Sequence, residues 1–482
     1  MPDPMTCDAP VYDAVIVLTS SPLQRVGAFA LAALAPTRQH PEQLTPEAFR
    51  SVVTAMTDDL LKTVKLAKAA EPGGFWLSAS YLLWPNSKIN PTSRGKQSPE
   101  ERRELIAGWR ALESHDRRIG VPCTYCGREA CDWFGKVDIP LGASVAHRNT
   151  TAPDHQGTPL CFPCVACLWA FPYGASLSGG RAALIHSWDD DFLARAIRLA
   201  VQATHEAALL LTAPKGAKRE PYERELAVLK AIRSYSQYNR RITAPVELMV
   251  LSNSNKEQLL VTQELSQPIA EWLRSTFQNT ERRNGYQALT ATQASKQVPN
   301  GEAYLAKRAF TAPERVLYTA VSSLLSRAAA QGVAATEITD LGPIIHSYCI
   351  EVLAMDEKDV ARIKHLAGRL AALLGKDSRP GPFRDFIRAN SRGGNLHGWF
   401  RSRGVEWLLL PRPEGTDRVL LPVCDYRLLF EDERSWAWRR LLTFAVLEAL
   451  ADAGWQPKGS TEEMNELQDT ADSAVAADND EE

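Results

Sequence analysis

The sequence predicts an α+β fold: a mixed α/β N-terminal domain, a cysteine-rich module inserted into it, and a helical bundle at the C-terminus. Three observations predict it. Short continuous apolar runs at 12–18 and 245–252 carry the pattern of buried strands. Six of the nine cysteines fall between Cys123 and Cys167, in a stretch broken by prolines and glycines. Beyond residue 311, apolar residues recur at helical spacing between recognisable start and stop signals. A chain of 482 residues exceeds one ordinary core. The expected divisions are 1–120, 121–187 (the cysteine module), 188–310 (a mainly helical continuation of the first domain), 311–460 (the bundle) and 461–482 (an acidic, disordered tail).

In chain order, the strand at 12–18 leads through Thr19-Ser20-Ser21-Pro22 into a helix over 25–34. A second helix over 46–69 starts at Thr45, which can cap it, with Pro46 at the first helical position. Residues 75–97 read as loop. Ser98 and Glu101 form a capping box for a helix that reaches residue 120. Helices follow over 188–211, from 222, and over 264–277. In the bundle, Thr311-Ala312-Pro313-Glu314 opens one helix, 356–374 is amphipathic and stops at Gly375, and 435–453 is the last. A strand pair at 405–410 and 419–423 is expected to interrupt the bundle.

Composition is that of an ordinary soluble protein, with 45% hydrophobic and 23% charged residues. No apolar run approaches the ~20 residues needed to cross a bilayer, and 26–35 follows Arg25 without a signal-peptide layout. A cytoplasmic protein with no membrane partner is expected. The formal net charge of −2 hides an asymmetry: residues 461–482 hold nine acidic side chains and no basic one, so without them −2 becomes +7. The body is mildly basic, and the tail reads as a solvated, solubilising end.

Cys123-Thr-Tyr-Cys126-Gly127 and Cys161-Phe-Pro-Cys164 form two CxxC pairs, 34 residues apart. Two such turns can each present two thiolates to one tetrahedral ion, so Cys123, Cys126, Cys161 and Cys164 are the expected ligands of a structural Zn²⁺. Gly127 suits the positive-φ position of a knuckle. Cys131 and Cys167 either replace a member of the set or stay free. Four thiolates close the coordination sphere, and no HExxH or HxE pattern accompanies His147 and His155, so the ion is not expected to be catalytic.

Two segments suit nucleic acid. Asn86, Ser87, Lys88 and Asn90 lie in a polar loop between Pro85 and Pro91; asparagine can pair with adenine and lysine can hold a phosphate. Residues 376–403 carry Lys376 and six arginines, including Arg384, Arg388, Arg392, Arg401 and Arg403, against two aspartates. Phe383, Phe386, Trp399 and Phe400 interleave with them, offering stacking faces beside phosphate-neutralising charge. The competing readings are an ordinary turn for the first segment and a buried aromatic face for the second.

These motifs together resemble the CRISPR-associated CXXC–CXXC proteins, the large subunits of type I-B Cascade. Thr19-Ser-Ser-Pro22 with Gly27 is similar to the family's opening TGNPxxxxG turn. The stretch from Leu83 to Pro91 (LWPNSKINP) is similar to its FPNSxxxNP loop, one residue shorter. The knuckles continue into Phe171-Pro-Tyr-Gly174 and Leu184-Ile-His-Ser-Trp-Asp189, and the chain closes with Asp425-Tyr426, a Trp-rich helix and Gly454-Trp455. Ser20 and Ser21 depart from the family's Gly and Asn, and 215–310 does not align. The resemblance implies a subunit that binds CRISPR guide RNA and target double-stranded DNA beside the Cascade backbone subunits. It implies that the 86–90 loop reads the target-flanking motif, and that a helicase–nuclease effector is recruited to cut, with the remaining specificity left to base pairing.

No catalytic residues are expected. His115-Asp116 matches the dipeptide of metal-dependent phosphohydrolases without further ligands, and Asp189-Asp190-Asp191 suits a helix start. No P-loop, nucleophile elbow or dinucleotide fingerprint is present. The alternatives are a stand-alone zinc-ribbon nucleic-acid-binding regulator and, behind it, a metal-dependent nuclease.

Overall fold

A computed structural model describes residues 14–37, 39–69, 71, 73–91, 97–111, 117–142, 157–178, 180–210, 221–253, 258–331, 335–376, 378–391, 393–410 and 418–479. The fold is α+β: many helices and two small antiparallel sheets, with a wholly helical C-terminal region among the described residues. Two compact units divide the chain. One comprises Met1–Arg219, Lys230–Tyr235 and Ile242–Leu265; the other comprises Glu220–Leu229, Ser236–Arg241 and Ser266–Glu482.

The first unit is organised on α1 (Pro22–Leu34), a helix buried over most of its surface. Ser21 caps it, accepting from the Gln24 amide. Helix α2 (Pro46–Leu61) starts at Thr45 as the sequence predicts, with Thr45 accepting from Ala48 N, and ends in a 3-10 turn over Lys62–Lys65. Residues 75–97 are not all loop. Phe75–Leu83 forms α3, whose start at Gly74 has no side-chain cap. Burial of Trp76, Leu77, Leu82 and Leu83 holds it instead, a tertiary effect that no local signal announces. Helix α4 (Pro99–Trp109) has the expected capping box: Ser98 N donates to Glu101 Oε2 at 2.7 Å and Glu101 N to Ser98 Oγ at 3.2 Å.

The strand expected over 12–18 is absent from the described part, 14–18. Ile16 is fully buried, which explains the apolar run, but no strand lies beside it. Side chains satisfy its carbonyls: Arg128 donates to Ala14 O and Val15 O, and Gln24 Nε2 to Val17 O.

The cysteine module contributes the two-stranded sheet β1 (Asp132–Phe134) and β2 (Thr158–Leu160), then α5 (Phe162–Ala170) and a 3-10 turn over Phe171–Gly174. Strands β3 (Ser176–Ser178), β4 (Arg181–Ser187), β5 (Val246–Asn253) and β6 (Gln258–Leu265) form a four-stranded antiparallel sheet in that order. Strand β5 covers the predicted 245–252 run and is central. The half-exposed edge strand β6 has no counterpart in the sequence reading. Helices α6 (Asp190–Leu210) and α7 (Glu223–Tyr235) lie between β4 and β5 in the chain.

In the second unit α8 (Gln267–Gln278), α9 (Thr280–Gln293) and α10 (Gly301–Thr311) precede α11 (Glu314–Gln331) and α12 (Ala335–Ser347). Helix α12 carries Pro343 and runs into a π-turn over Tyr348–Val352. Helix α13 (Glu357–Leu374) stops at Gly375, as predicted, and is capped by Asp356, which the sequence reading places inside the helix. Then come α14 (Pro380–Asn390), α15 (Leu396–Leu409), α16 (Val423–Phe430), α17 (Ser435–Asp452) and α18 (Thr461–Asn479).

Two expectations fail here. The strand at 405–410 is the end of α15, whose Asn395 cap accepts from Gly398 N; Val405, Leu408 and Leu409 face outward, so their apolar run mimics a strand. Described residues 418–422 form no strand either. The acidic segment from Thr461 is helical, not disordered, up to Asn479. Leu467, Ala471 and Ala474 are buried, Glu462, Glu463, Glu466, Asp469 and Asp472 are exposed, and α18 packs on α11 and α14. Composition signalled solvation; the one apolar stripe decided the structure.

Candidate metal centre

The first knuckle is a tight turn. Gly127 N donates to Cys123 O at 3.0 Å and Cys123 N to Arg128 O at 2.6 Å. Gly127 sits at φ +75°, where only glycine is unstrained. Backbone bonds lash the turn to the second segment: Thr124 N donates to Pro159 O and Cys131 N to Leu160 O, both at 2.9 Å. β1 pairs with β2, placing Asp132 opposite Leu160. The chain therefore emerges from β2 straight into Cys161, which is the N-cap of α5. Cys164 lies in that helix's first turn, where Pro163 needs no donor. The positive end of the helix dipole faces both thiols and favours thiolate.

The four sulfurs converge. Cys123, Cys126, Cys161 and Cys164 place their Sγ atoms within 4.8 Å of one another, and Cys126 and Cys161 approach to 3.4 Å. An ion bound tetrahedrally at the ~2.3 Å typical of thiolate–zinc bonds requires sulfur edges of about 3.8 Å. The cluster matches that size and can hold a metal ion. Three of the four residues are buried. Hydrogen bonds from Cys126, Cys161 and Cys164 hold the Cys123 thiol well below its usual range, and the bond to Cys123 pushes Cys161 and Cys164 up. Four thiols packed this closely cannot all carry negative charge unless a cation stands among them.

Cys131 and Cys167 are not members. Cys131 donates to Leu160 O at 3.3 Å, and burial raises it to about 11. Cys167 is fully buried on α5, raised by burial, and faces Gln24 Nε2 at 3.7 Å. Both are core residues. His147, His155, His115 and Asp116 lie outside the described residues.

The motifs around the centre turn out to be packing devices. Gly27 on α1 abuts α5 so closely that a Cβ there would stand 1.8 Å from Cys167 O. Gly174 packs under Val26. Arg25 pairs with Asp190 and lies over the Trp188 ring at 5.1 Å. Asp189 caps α6, accepting from Phe192 N at 3.0 Å and from Thr243 N at 2.8 Å, which agrees with a helix-start role for the aspartate run.

The loop expected to touch nucleic acid divides in two. Asn86 and Lys88 are exposed, Asn86 at φ +62°. Ser87 and Asn90 are buried. Asn90 Nδ2 donates to Trp84 O at 2.8 Å and Ser87 Oγ at 3.3 Å, and its Oδ1 accepts from Ser80 Oγ at 3.1 Å. Its amide is consumed in closing the turn and reads no base in this conformation. Asn90→Ala is therefore expected to cost about 1–3 kcal/mol, the price of stranding buried partners, while Lys88→Ala, at an exposed side chain, changes stability by no more than about 0.5 kcal/mol. Thermal melts of the two variants check this.

The basic segment is likewise sorted by the fold. Phe383, Phe386 and Phe400 are core, so they offer no stacking face. Arg384 pairs with Glu466 of α18. Arg403 pairs with Glu406 at 2.6 Å. Arg388 and Arg401 are exposed, and Arg392 lies outside the described residues.

One residue near the centre escaped the sequence reading. Arg110, 3% exposed, sits among three indoles, its guanidinium 4.0 Å from the Trp169 ring centre, 4.2 Å from Trp109 and 4.9 Å from Trp84. Burial lowers its pKa, and its nitrogens find no hydrogen-bond partner among the described residues. The rings' π faces supply what carboxylates do not. Scattered tryptophans are the only sequence trace of this box.

Among the described residues no helix is long and apolar enough to cross a membrane. Comparison with models of protein families, with curated proteins and with solved structures returned no match.

Proposed function

We propose that this chain is a non-enzymatic, zinc-stapled large subunit of a type I-B CRISPR surveillance complex, which holds guide RNA and target DNA and leaves cutting to a helicase–nuclease partner. The observation that carries the proposal is the assembly of the motifs. Ser21, Gly27, the 83–91 turn, the knuckles, Phe171–Gly174 and Trp188–Asp189 are far apart in the chain, yet all belong to one unit built around α1, α5 and the four thiols. A resemblance made of residues that cooperate in one fold is worth more than the same residues scattered. Zinc is the ion of choice, since four closely spaced thiolates select it over harder divalent cations. The coordination sphere has no open position, so the ion's part is to fix the knuckles against α5.

For the nucleic-acid contacts the exposed residues Asn86, Lys88, Arg388 and Arg401 remain the candidates, with Arg384 and Arg403 held in ion pairs. Arg388→Glu combined with Arg401→Glu should weaken binding to a guide RNA or single-stranded DNA and lower the salt slope by about 1.4, roughly 0.7 per lost phosphate contact; wild-type affinity and slope would remove this face. The assembly itself is tested by affinity purification from the native cell. A surveillance subunit brings down guide RNA and several protein partners, whereas the same chain recovered alone with DNA would mark a stand-alone zinc-ribbon regulator.

A further inference from the structure

A cleft of about 570 Å³ opens in the C-terminal unit, lined by none of the residues named above as ligands. That volume falls within the range of small-molecule sites. Its walls are the start of α11, the end of α14 and the first turns of α17. Arg315, Arg439 and Arg440 line it, against a single carboxylate, Glu314. Arg440 lies 4.4 Å from the centre of the Tyr318 ring, and burial lowers its guanidinium to about 10. Two 18-residue helices begin here, so their positive ends add to the arginines. All of these features favour an anion.

Other features ask for more than an anion. Asn390 donates through Nδ2 to Arg439 O at 3.2 Å and to Thr443 Oγ1 at 2.8 Å, which fixes the amide. Its Oδ1 is then a buried acceptor with no partner among the described residues, and the Tyr318 hydroxyl is in the same state. An acceptor in a positively charged cleft suits a ligand hydroxyl or amino group, which a bare phosphate lacks. Trp436, 40% exposed, presents an indole at the same cleft.

We propose that this cleft binds a nucleotide, its phosphate on Arg315, Arg439 and Arg440, its base against Trp436, and a sugar hydroxyl or base amino group on Asn390. The nucleotide is either free or one residue of a single strand. The assignment goes beyond the surveillance role and does not need it.

Calorimetric titration of the full chain with AMP, with orthophosphate, and with a single-stranded oligonucleotide tests it. One AMP per chain should bind, with orthophosphate at least about tenfold weaker. Trp436→Ala should weaken AMP by about tenfold or more, as loss of base stacking predicts, and leave orthophosphate unchanged. Arg440→Gln should weaken both; because Arg440 is half-buried, its melt is compared with wild type, and Trp436→Ala remains decisive if it fails to fold. Displacement of AMP by the oligonucleotide, or oligonucleotide binding alone that Trp436→Ala weakens, assigns the ligand to a strand. Undisplaced AMP assigns it to a free nucleotide. No saturable binding of either, orthophosphate binding as tightly as AMP, or binding indifferent to Trp436→Ala overturns the proposal. A chain that takes AMP but co-purifies with no guide RNA keeps the cleft and loses the assembly role; the reverse result loses only the cleft.

Discussion

Cys164→Ser, or removal of the metal by a strong chelator, is expected to unfold the N-terminal unit rather than merely loosen it. Structural zinc sites contribute about 10–16 kcal/mol to the folding of small metal modules, while whole domains are stable by only about 5–15 kcal/mol. The geometry gives no substitute. Among the described residues the module's own regular structure is a three-residue strand pair, a nine-residue helix and a 3-10 turn, and Cys161, Cys164, Val165 and Leu168 lie inside the main core of the unit. Loosening the start of α5 therefore propagates to α1, which packs along it. Metal analysis should find one zinc per chain, and the melting transition of the first unit should vanish on chelation and return on zinc addition. Cys424→Ser, at an exposed thiol of the other unit, should change neither quantity. A metal-free chain with an unaltered melt would dispose of the stapling role.

What could be read in the sequence was local chemistry. The capping box at Ser98, the cap at Thr45, the stop at Gly375 and the two CxxC turns all signal within four residues, and each stands in the structure where it was expected. What could not be read was decided by distant partners. Ile16 lies in an apolar run that looks like a strand, yet the carbonyls of its neighbours Ala14, Val15 and Val17 are taken by the Arg128 and Gln24 side chains. Asn90 looks like a loop residue free to touch a base, and its amide is spent on Trp84, Ser87 and Ser80. Phe383 and Phe386 alternate with arginines in sequence, but on α14 that alternation separates a buried face from a charged one. Arg384 needs Glu466, 82 residues away, to show that the acidic segment is a partner helix and not a solvated tail. Charge and aromatic content thus do not tell which residues of a segment face water.

Gly27→Ala should be severely damaging for a change of one methyl group. The added Cβ would lie 1.8 Å from Cys167 O and 2.5 Å from the carbonyl carbon. Both are backbone atoms of α5, so no side chain can swing aside. The helices must separate, and α5 is tied to the knuckles through Cys161 and Cys164, so it cannot follow freely. Overpacking in a core costs about 1–3 kcal/mol where side chains can adjust; here the adjustment is a helix displacement, and a loss of about 4 kcal/mol or more is expected. Gly368, inside α13 with open space around its would-be Cβ, supplies the opposite sign: Gly368→Ala should stabilise by about 0.5–1 kcal/mol through helix propensity alone. Denaturant melts of the two variants separate the explanations. If glycine at 27 served only as a flexible hinge in the opening turn, alanine would be tolerated with metal content intact. If it serves as the place where α1 and α5 touch, Gly27→Ala should lose stability and zinc together, because the same helix carries half of the metal site.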